Sequence, residues 1–249
     1  MSTEPPQTLA DRLAGSGGLT ARMRANMWQD FVAHSLDAID QAMRVLDALE
    51  LGFDYEAEPT YWRRRTRKVN AVATKLPEED SITDVLTRAL EHVRENSPPT
   101  SYLRRNEICF PQQQPRKQQR RLGPHARTTD IQVRSLSRSF LDLRIEAKVL
   151  FDTADVAHYC GEKGLLRFSD IDPYTDQPIG MMIGYSLRDE ARWLPDIERV
   201  SSTNVAVKTF EDVLVSGRTI RMSMSTRHSS ADVGVVHLLL PFRTDPDCR

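Results

Sequence analysis

From Leu141 to Val149 apolar and polar residues alternate without a break. Leu141, Leu143, Ile145, Ala147 and Val149 form one set, and Asp142, Arg144, Glu146 and Lys148 the other. A strand sends successive side chains to opposite faces of a sheet, so a period of two predicts a strand with one continuous apolar face. Such a face has to be covered by other elements. Glu146 and Lys148 project together from the opposite, polar face. Upstream, Asp130 opens a second alternating run, with Ile131 and Val133 on one side and Asp130, Gln132 and Arg134 on the other. A short Ser/Arg turn over residues 135–139 lets the two strands pair and sets Asp130 beside Glu146, close enough to share one cation.

That grouping has a chemistry. Two neighbouring carboxylates repel each other and hold a hard divalent cation, Mg²⁺ (or Mn²⁺), which keeps several waters. The cation polarises a phosphoryl oxygen and lowers the pKa of a bound water. A lysine alongside orients that water or offsets charge developing on the phosphate. The alternative is a solvated polar face carrying a cross-strand ion pair. Against it stand the order of Asp130 on the preceding strand, the central character of the Glu-x-Lys strand, and the helix and apolar strand that follow.

An Asp followed by Glu-x-Lys on the next strand resembles the PD-(D/E)XK nuclease superfamily, over about residues 80–190. The resemblance implies an α/β fold of restriction-endonuclease-like type, a central mixed β-sheet flanked by helices. Its core would run as helix 84–95, strands 102–110, 128–134 and 140–149, helix 153–163 and strand 179–187. Thr129 stands where the superfamily's name has proline. The implied activity is that of a Mg²⁺-dependent endonuclease hydrolysing phosphodiester bonds, with double-stranded DNA as substrate and restriction, repair or anti-phage defence as setting. Asp130 and Glu146 would bind metal, with the Ala147 carbonyl as a third ligand, and Lys148 would act on the phosphate or the water. An acid on the first helix would join them, Glu91 with Glu95 as alternate. A surface glutamate is the competing reading for Glu91. The competing function is a catalytically silent nuclease-like subunit that binds nucleic acid or scaffolds a larger complex. No P-loop or helicase motif is present, so any energy-requiring process would need other proteins of a multi-component system.

With 249 residues, 39% hydrophobic and 28% charged, the chain suits one large domain or a domain with an appendage. The formal net charge of −1 does not announce a nucleic-acid binder, but the charge is clustered. Arg63, Arg64 and Arg65 begin one basic block. Arg116, Lys117, Arg120 and Arg121 centre a second, in a Gln-rich, low-complexity stretch. Arg167 stands alone, placed to reach a phosphate or, as the alternative, to pair with a carboxylate behind the site. Such clusters attract phosphate backbones without reading sequence. A solvated basic loop is the alternative for each block.

Cys109, Cys160 and Cys248 are too scattered for a metal-ligand spacing or a disulfide framework. With no signal-like start and no apolar run of membrane-spanning length, the expectation is a reduced, cytoplasmic protein. Residues 1–20, rich in Pro, Gly and Ser, are expected to be disordered. Residues 21–77 form an N-terminal helical segment. Within it, a stripe from Trp28 to Leu49 packs on the core or, as the alternative, makes a homodimer interface, and residues 61–76 form a second helix. The α/β domain spans residues 78–249, with extra strands at 219–226 and 233–242. His228 and His237, on or beside those strands, read as structural.

Overall fold

The computed structural model describes residues 6–63, 67–69, 72–112, 129–170, 173–188, 190–227 and 232–242. A hairpin of β1 (Arg67–Val69) and β2 (Val72–Thr74) stands apart from the main sheet. Among the described residues that sheet has seven strands: β3 (Ile108–Cys109), β4 (Ile131–Ser135), β5 (Asp142–Leu150), β6 (Ile179–Ser186), β7 (Val207–Val215), β8 (Arg218–Ser225) and β9 (Val233–Pro241). Their order is β3-β4-β5-β6-β9-β8-β7. The middle strands β5, β6 and β9 pair in parallel, and the strands outside them pair antiparallel. Every residue of β6 is buried, as expected of a parallel strand covered on both faces.

Two helical layers provide the cover. On one face lie α2 (Leu19–Asp47) and α3 (Glu79–Asn96). Ile82, Leu86, Ala89 and Leu90 of α3 pack with Ile39 and Ala42 of α2 against Ile131, Ile145, Ala147 and Ile183. Spacings of three and four put these α3 residues on one stripe. Truncating one of them, as in Leu86→Ala, costs about 2–5 kcal/mol. On the other face α5 (Thr153–Cys160) and α6 (Trp193–Ser201) bury Val156, Tyr159, Trp193 and Ile197 against Leu150, Met182, Val233 and Val235. Asp152 begins α5 with a capping box closed by Asp155, which fixes where the crossover leaves β5.

Several expectations are corrected. Among the described residues of 61–76 there is no helix: β1 and β2 stand there instead, where Val69, Val72 and Thr74 are β-branched and favour strands. Strand 102–110 shrinks to Ile108–Cys109 because Ser101 caps a short helix, α4 (Tyr102–Arg105), by accepting from the Arg104 amide at 3.3 Å. The disordered stretch 1–20 contains α1 (Leu9–Ala14), capped by Thr8, with Leu9 fully buried and Arg12 paired to Glu211 of β7 at 2.6 Å. The first core helix begins at Glu79, five residues before its expected start, and Leu49 lies past the end of α2, half exposed. Residues 1–5 lie outside the described residues. No described helix is long and apolar enough to cross a membrane.

Candidate active site

β5 extends beyond the start of β4. Ile131 pairs with Ile145 in antiparallel register, so Asp130, one residue before β4, stands opposite Glu146. Past that point the edge amides of β5 meet carboxylates instead of a strand. Asp130 Oδ2 accepts the Ala147 N–H at 2.7 Å, and Glu79 Oε2 accepts the Val149 N–H at 3.1 Å. Glu79 arrives from the first turn of α3, which the apolar stripe of that helix holds against the sheet.

Lys148 sits among these carboxylates. Its Nζ is 2.9 Å from Glu79 Oε1, 2.9 Å from Glu146 Oε1 and 4.0 Å from Asp130 Oδ2. It also donates to the Ala147 carbonyl at 2.6 Å. Three carboxylates around one ammonium leave negative charge in excess where little water reaches: the Glu146 side chain is 5% exposed and that of Lys148 13%. Burial, reinforced by the charge of Asp130, pushes the Glu146 carboxyl up to about 7, against the pull of Lys148. Burial pushes Asp130 up to about 6, opposed by Lys148 and the Ala147 amide. Burial alone would lower the Lys148 pKa, but Glu146, Glu79 and Asp130 outweigh it and hold the ammonium charged well above its ordinary range. Glu146 Oε2 is buried and has no well-aligned hydrogen-bond partner among the described residues. A buried acceptor left in that state costs about 1–3 kcal/mol.

Behind Glu146 stands Tyr174, whose phenol donates toward the carboxylate while Arg167 donates to the phenol oxygen and lies over the ring. Burial and the Glu146 charge raise the Tyr174 pKa, keeping the phenol protonated. Phe168 packs edge-on against Tyr174. A Cβ at Gly180 would collide with the Phe168 ring, so the bare β6 backbone there is what lets Phe168, and with it Tyr174, approach the sheet.

The remaining candidates fall elsewhere. Glu91 is twelve residues along α3 from Glu79, about 18 Å along the axis at 1.5 Å per residue. It accepts the Phe110 amide at 3.0 Å and pairs with Arg94 at 2.7 Å, so it ties α3 to the end of β3 instead of joining the site. Glu95 is a surface partner of Arg94 at 3.6 Å. Arg63 faces Glu78 at 3.4 Å. Arg64, Arg65, Arg116, Lys117, Arg120, Arg121 and His228 lie outside the described residues. His237 is buried between Tyr159 at 3.0 Å and Ser223 at 2.9 Å, and burial lowers its pKa to about 3, which makes it a neutral structural residue.

Sequence reasoning missed Glu79 and Tyr174 as members of the site. An acid in a helix's first turn already has a reason to be there, the helix dipole, so Glu79 carried no distinguishing signal. Tyr174 sits in irregular chain with no periodicity to orient it.

Among the described residues no group of three or more His, Cys, Asp or Glu side chains is arranged to hold a metal. The smaller donor set does suit Mg²⁺, which is commonly held by one or two carboxylates and otherwise by water and substrate. Asp130, Glu146 and the Ala147 carbonyl are hard oxygen donors, the local charge is negative, and Glu146 Oε2 has no well-aligned hydrogen-bond partner among the described residues. Comparison with protein-family models, with curated proteins and with solved structures finds no match for the chain.

Proposed function

We propose that this protein is a metal-dependent nuclease hydrolysing phosphodiester bonds in nucleic acid, with duplex DNA as the first substrate class. The observation that carries the reading is the convergence of Asp130, Glu146 and Lys148, with Glu79, where β5 runs past β4. Its chain order is consistent with restriction-endonuclease-like type: a helix (α3), the meander β3-β4-β5, a crossover helix (α5), then β6 parallel to β5. Asp130 and Glu146 would hold Mg²⁺ or Mn²⁺ with the Ala147 carbonyl. Bound there, the cation would supply Lewis acidity toward a phosphoryl oxygen and a water of lowered pKa.

The residues themselves have separable tasks. Asp130 ionises through about pH 6 and Glu146 through about pH 7, so the site is most receptive to a cation on the alkaline side of neutrality. Lys148 stays protonated throughout and can turn from its carboxylates to the charge gathering on the phosphate. Tyr174 and Arg167 steady Glu146 from behind.

One observation favours the rival, a catalytically silent nuclease-like subunit. Lys148 already has three carboxylates as counter-ions, two of which also fill open amides of β5, and such a cluster can be purely structural. Incubation with plasmid DNA and Mg²⁺ or Mn²⁺ decides between them. Cleavage by wild type and its loss in Glu146→Ala support the nuclease. Intact plasmid with both proteins supports the silent subunit.

A further inference from the structure

The turn between β4 and β5 is stitched to the end of α4. The Asn106 carbonyl, one residue past α4, accepts from Ser135 Oγ at 2.7 Å and from Ser137 Oγ at 3.0 Å. Ser135 Oγ in turn takes the Arg138 amide at 3.0 Å, and the Leu136 amide donates to the Glu107 carbonyl at 3.2 Å. At the same place β3 pairs with β4, Ile108 with Ser135 and Cys109 with Arg134. This bonded corner carries four arginines: Arg104 and Arg105 of α4, Arg134 of β4 and Arg138 of the turn.

These arginines lack counter-charge. Arg104, Arg105 and Arg138 are exposed and Arg134 is half-buried. None of the four has a carboxylate within 4.0 Å among the described residues. Asp142, opposite Arg134 across the strands, is already taken by Arg144 at 3.0 Å. Several arginines elsewhere are matched, Arg88 with Asp84, Arg199 with Asp196 and Arg218 with Asp40. Glu107 is the one acid among residues 101–109 and 131–140, and Asp30 of α2 approaches from the Tyr102 side. Positive charge therefore stays in excess here, in a chain whose formal net charge is −1. Arg134 follows Asp130 by four residues on the same face of the sheet, about 13 Å along β4. It also shares a cleft with Tyr174, which stands behind Glu146. The corner thus opens on the side that carries the candidate active site. Guanidinium groups fit phosphate oxygens and keep their charge at any working pH. Leu136 is the one large apolar side chain exposed at the corner, too little for the desolvated centre of a protein interface.

We infer that this corner grips the phosphate backbone of duplex DNA and holds it beside the point where it is cut. The inference rests on the nuclease reading for the cut, and on the arginines alone for the phosphates. Contacts of this kind position a duplex and carry no sequence information, so binding is indifferent to sequence. Each phosphate neutralised releases condensed counter-ions, and affinity then falls with salt by about 0.9 in log–log slope per contact.

The test is a salt titration of binding to two fluorescent duplexes of unrelated sequence, followed by anisotropy in EDTA, with cleavage measured separately in Mg²⁺. The triple variant Arg104→Ser, Arg105→Ser and Arg138→Ser changes only exposed side chains and leaves the serine bonds of the corner in place. With one phosphate per arginine, its log–log slope should be shallower than that of wild type by about 2.7, equally for both duplexes. Lys208→Ser is the control and should keep the wild-type slope. It lies on β7, the opposite edge strand, six strand spacings or about 29 Å from β3. Thermal unfolding checks that each variant is folded. If the triple variant is not, Arg138→Ser alone takes its place, with an expected change of about 0.9. An unchanged slope in the folded arginine variant, a change confined to one sequence or matched by Lys208→Ser, or no duplex binding by wild type would overturn the assignment. Binding of poly-glutamate in place of DNA would overturn it too, in favour of an acidic protein partner. Failure of the nuclease reading shows separately, as both duplexes staying intact with Mg²⁺ while the difference in slope stands.

Discussion

Glu79 Oε1 lies 2.9 Å from Lys148 Nζ, and the other oxygen of the same carboxylate takes the Val149 amide at 3.1 Å. One side chain from the first turn of α3 thus sets both the edge of β5 and the position of its lysine. Packing of α3 on the sheet, made by residues such as Leu86 and Leu90, is thereby coupled to the geometry of the site.

Glu79→Gln should leave the fold intact, because the amide oxygen still accepts from Val149. It should weaken function. With Glu79 neutral, the Lys148 ammonium leans harder on Glu146 and Asp130 and competes with a divalent cation for them. Groups that orient a metal's ligands commonly matter by about 10–100-fold. The Mg²⁺ concentration giving half-maximal cleavage should rise by that order, and an unchanged value would remove Glu79 from the site.

Glu91→Ala makes the opposite pairing of effects. It leaves the Phe110 amide and Arg94 without their carboxylate, a loss of about 1–3 kcal/mol of stability, while cleavage per folded molecule stays at the wild-type rate. Urea unfolding alongside a cleavage assay checks it. A specific loss of cleavage with stability retained would return Glu91 to the metal site.

From sequence, Lys148→Ala would be expected to abolish cleavage and spare the fold. The structure changes the second half. Lys148 is the cation that offsets Glu79, Asp130 and Glu146, and removing one partner of a buried ionic group costs about 3–5 kcal/mol. The variant should lose cleavage on the order of a hundred- to a thousandfold. It should also unfold at lower denaturant concentration at pH 8 than wild type, with a smaller deficit at pH 5, where Asp130 and Glu146 take up protons. A variant as stable as wild type at pH 8 would show that the carboxylates are not charged together.

The raised pKa values of Asp130, about 6, and Glu146, about 7, fix the sign of a pH effect. A carboxyl with a raised folded pKa binds protons more tightly when folded. Its contribution to stability is full below the ordinary carboxylate pKa, about 4, and is lost as pH rises through 6–7, at up to about 1.4 kcal/mol per pH unit for each proton. A divalent cation competes with those protons, so the Mg²⁺-induced gain in Tm should be small at pH 5 and larger at pH 8. Melting curves in EDTA and in Mg²⁺ over that range, repeated on Asp130→Asn with Glu146→Gln, measure both trends. A wild-type pH slope in EDTA equal to that of the double variant would contradict the assignment.

Much of the sheet is legible in the sequence because its strands carry strong patterns. β5 alternates throughout, and β6 and β9 are apolar runs whose positions β-pairing then dictates. The pairing of Asp130 with Glu146 follows from that alternation and a short turn. The misreadings occur where local chemistry competes with pattern. Tyr102, Leu103, Ile108 and Phe110 look like one strand until Ser101 caps a helical turn among them. Pro and Gly near the N-terminus conceal the short helix that Thr8 caps. Glu91 lies off the buried stripe of the right helix but at the wrong end of it. Helical periodicity gives the face a residue occupies, whereas docking of the helix end decides which acid meets the sheet.

Cleavage rate of a short end-labelled DNA duplex as a function of Mg²⁺ concentration, for wild type and Asp130→Asn, puts the assignment of the site to the test. Asp130 and Glu146 acting together on one cation predict a rate that rises and saturates with Mg²⁺ in wild type and is lost in Asp130→Asn. A duplex left intact by wild type at every Mg²⁺ concentration, or cut by Asp130→Asn at the wild-type rate, would contradict it.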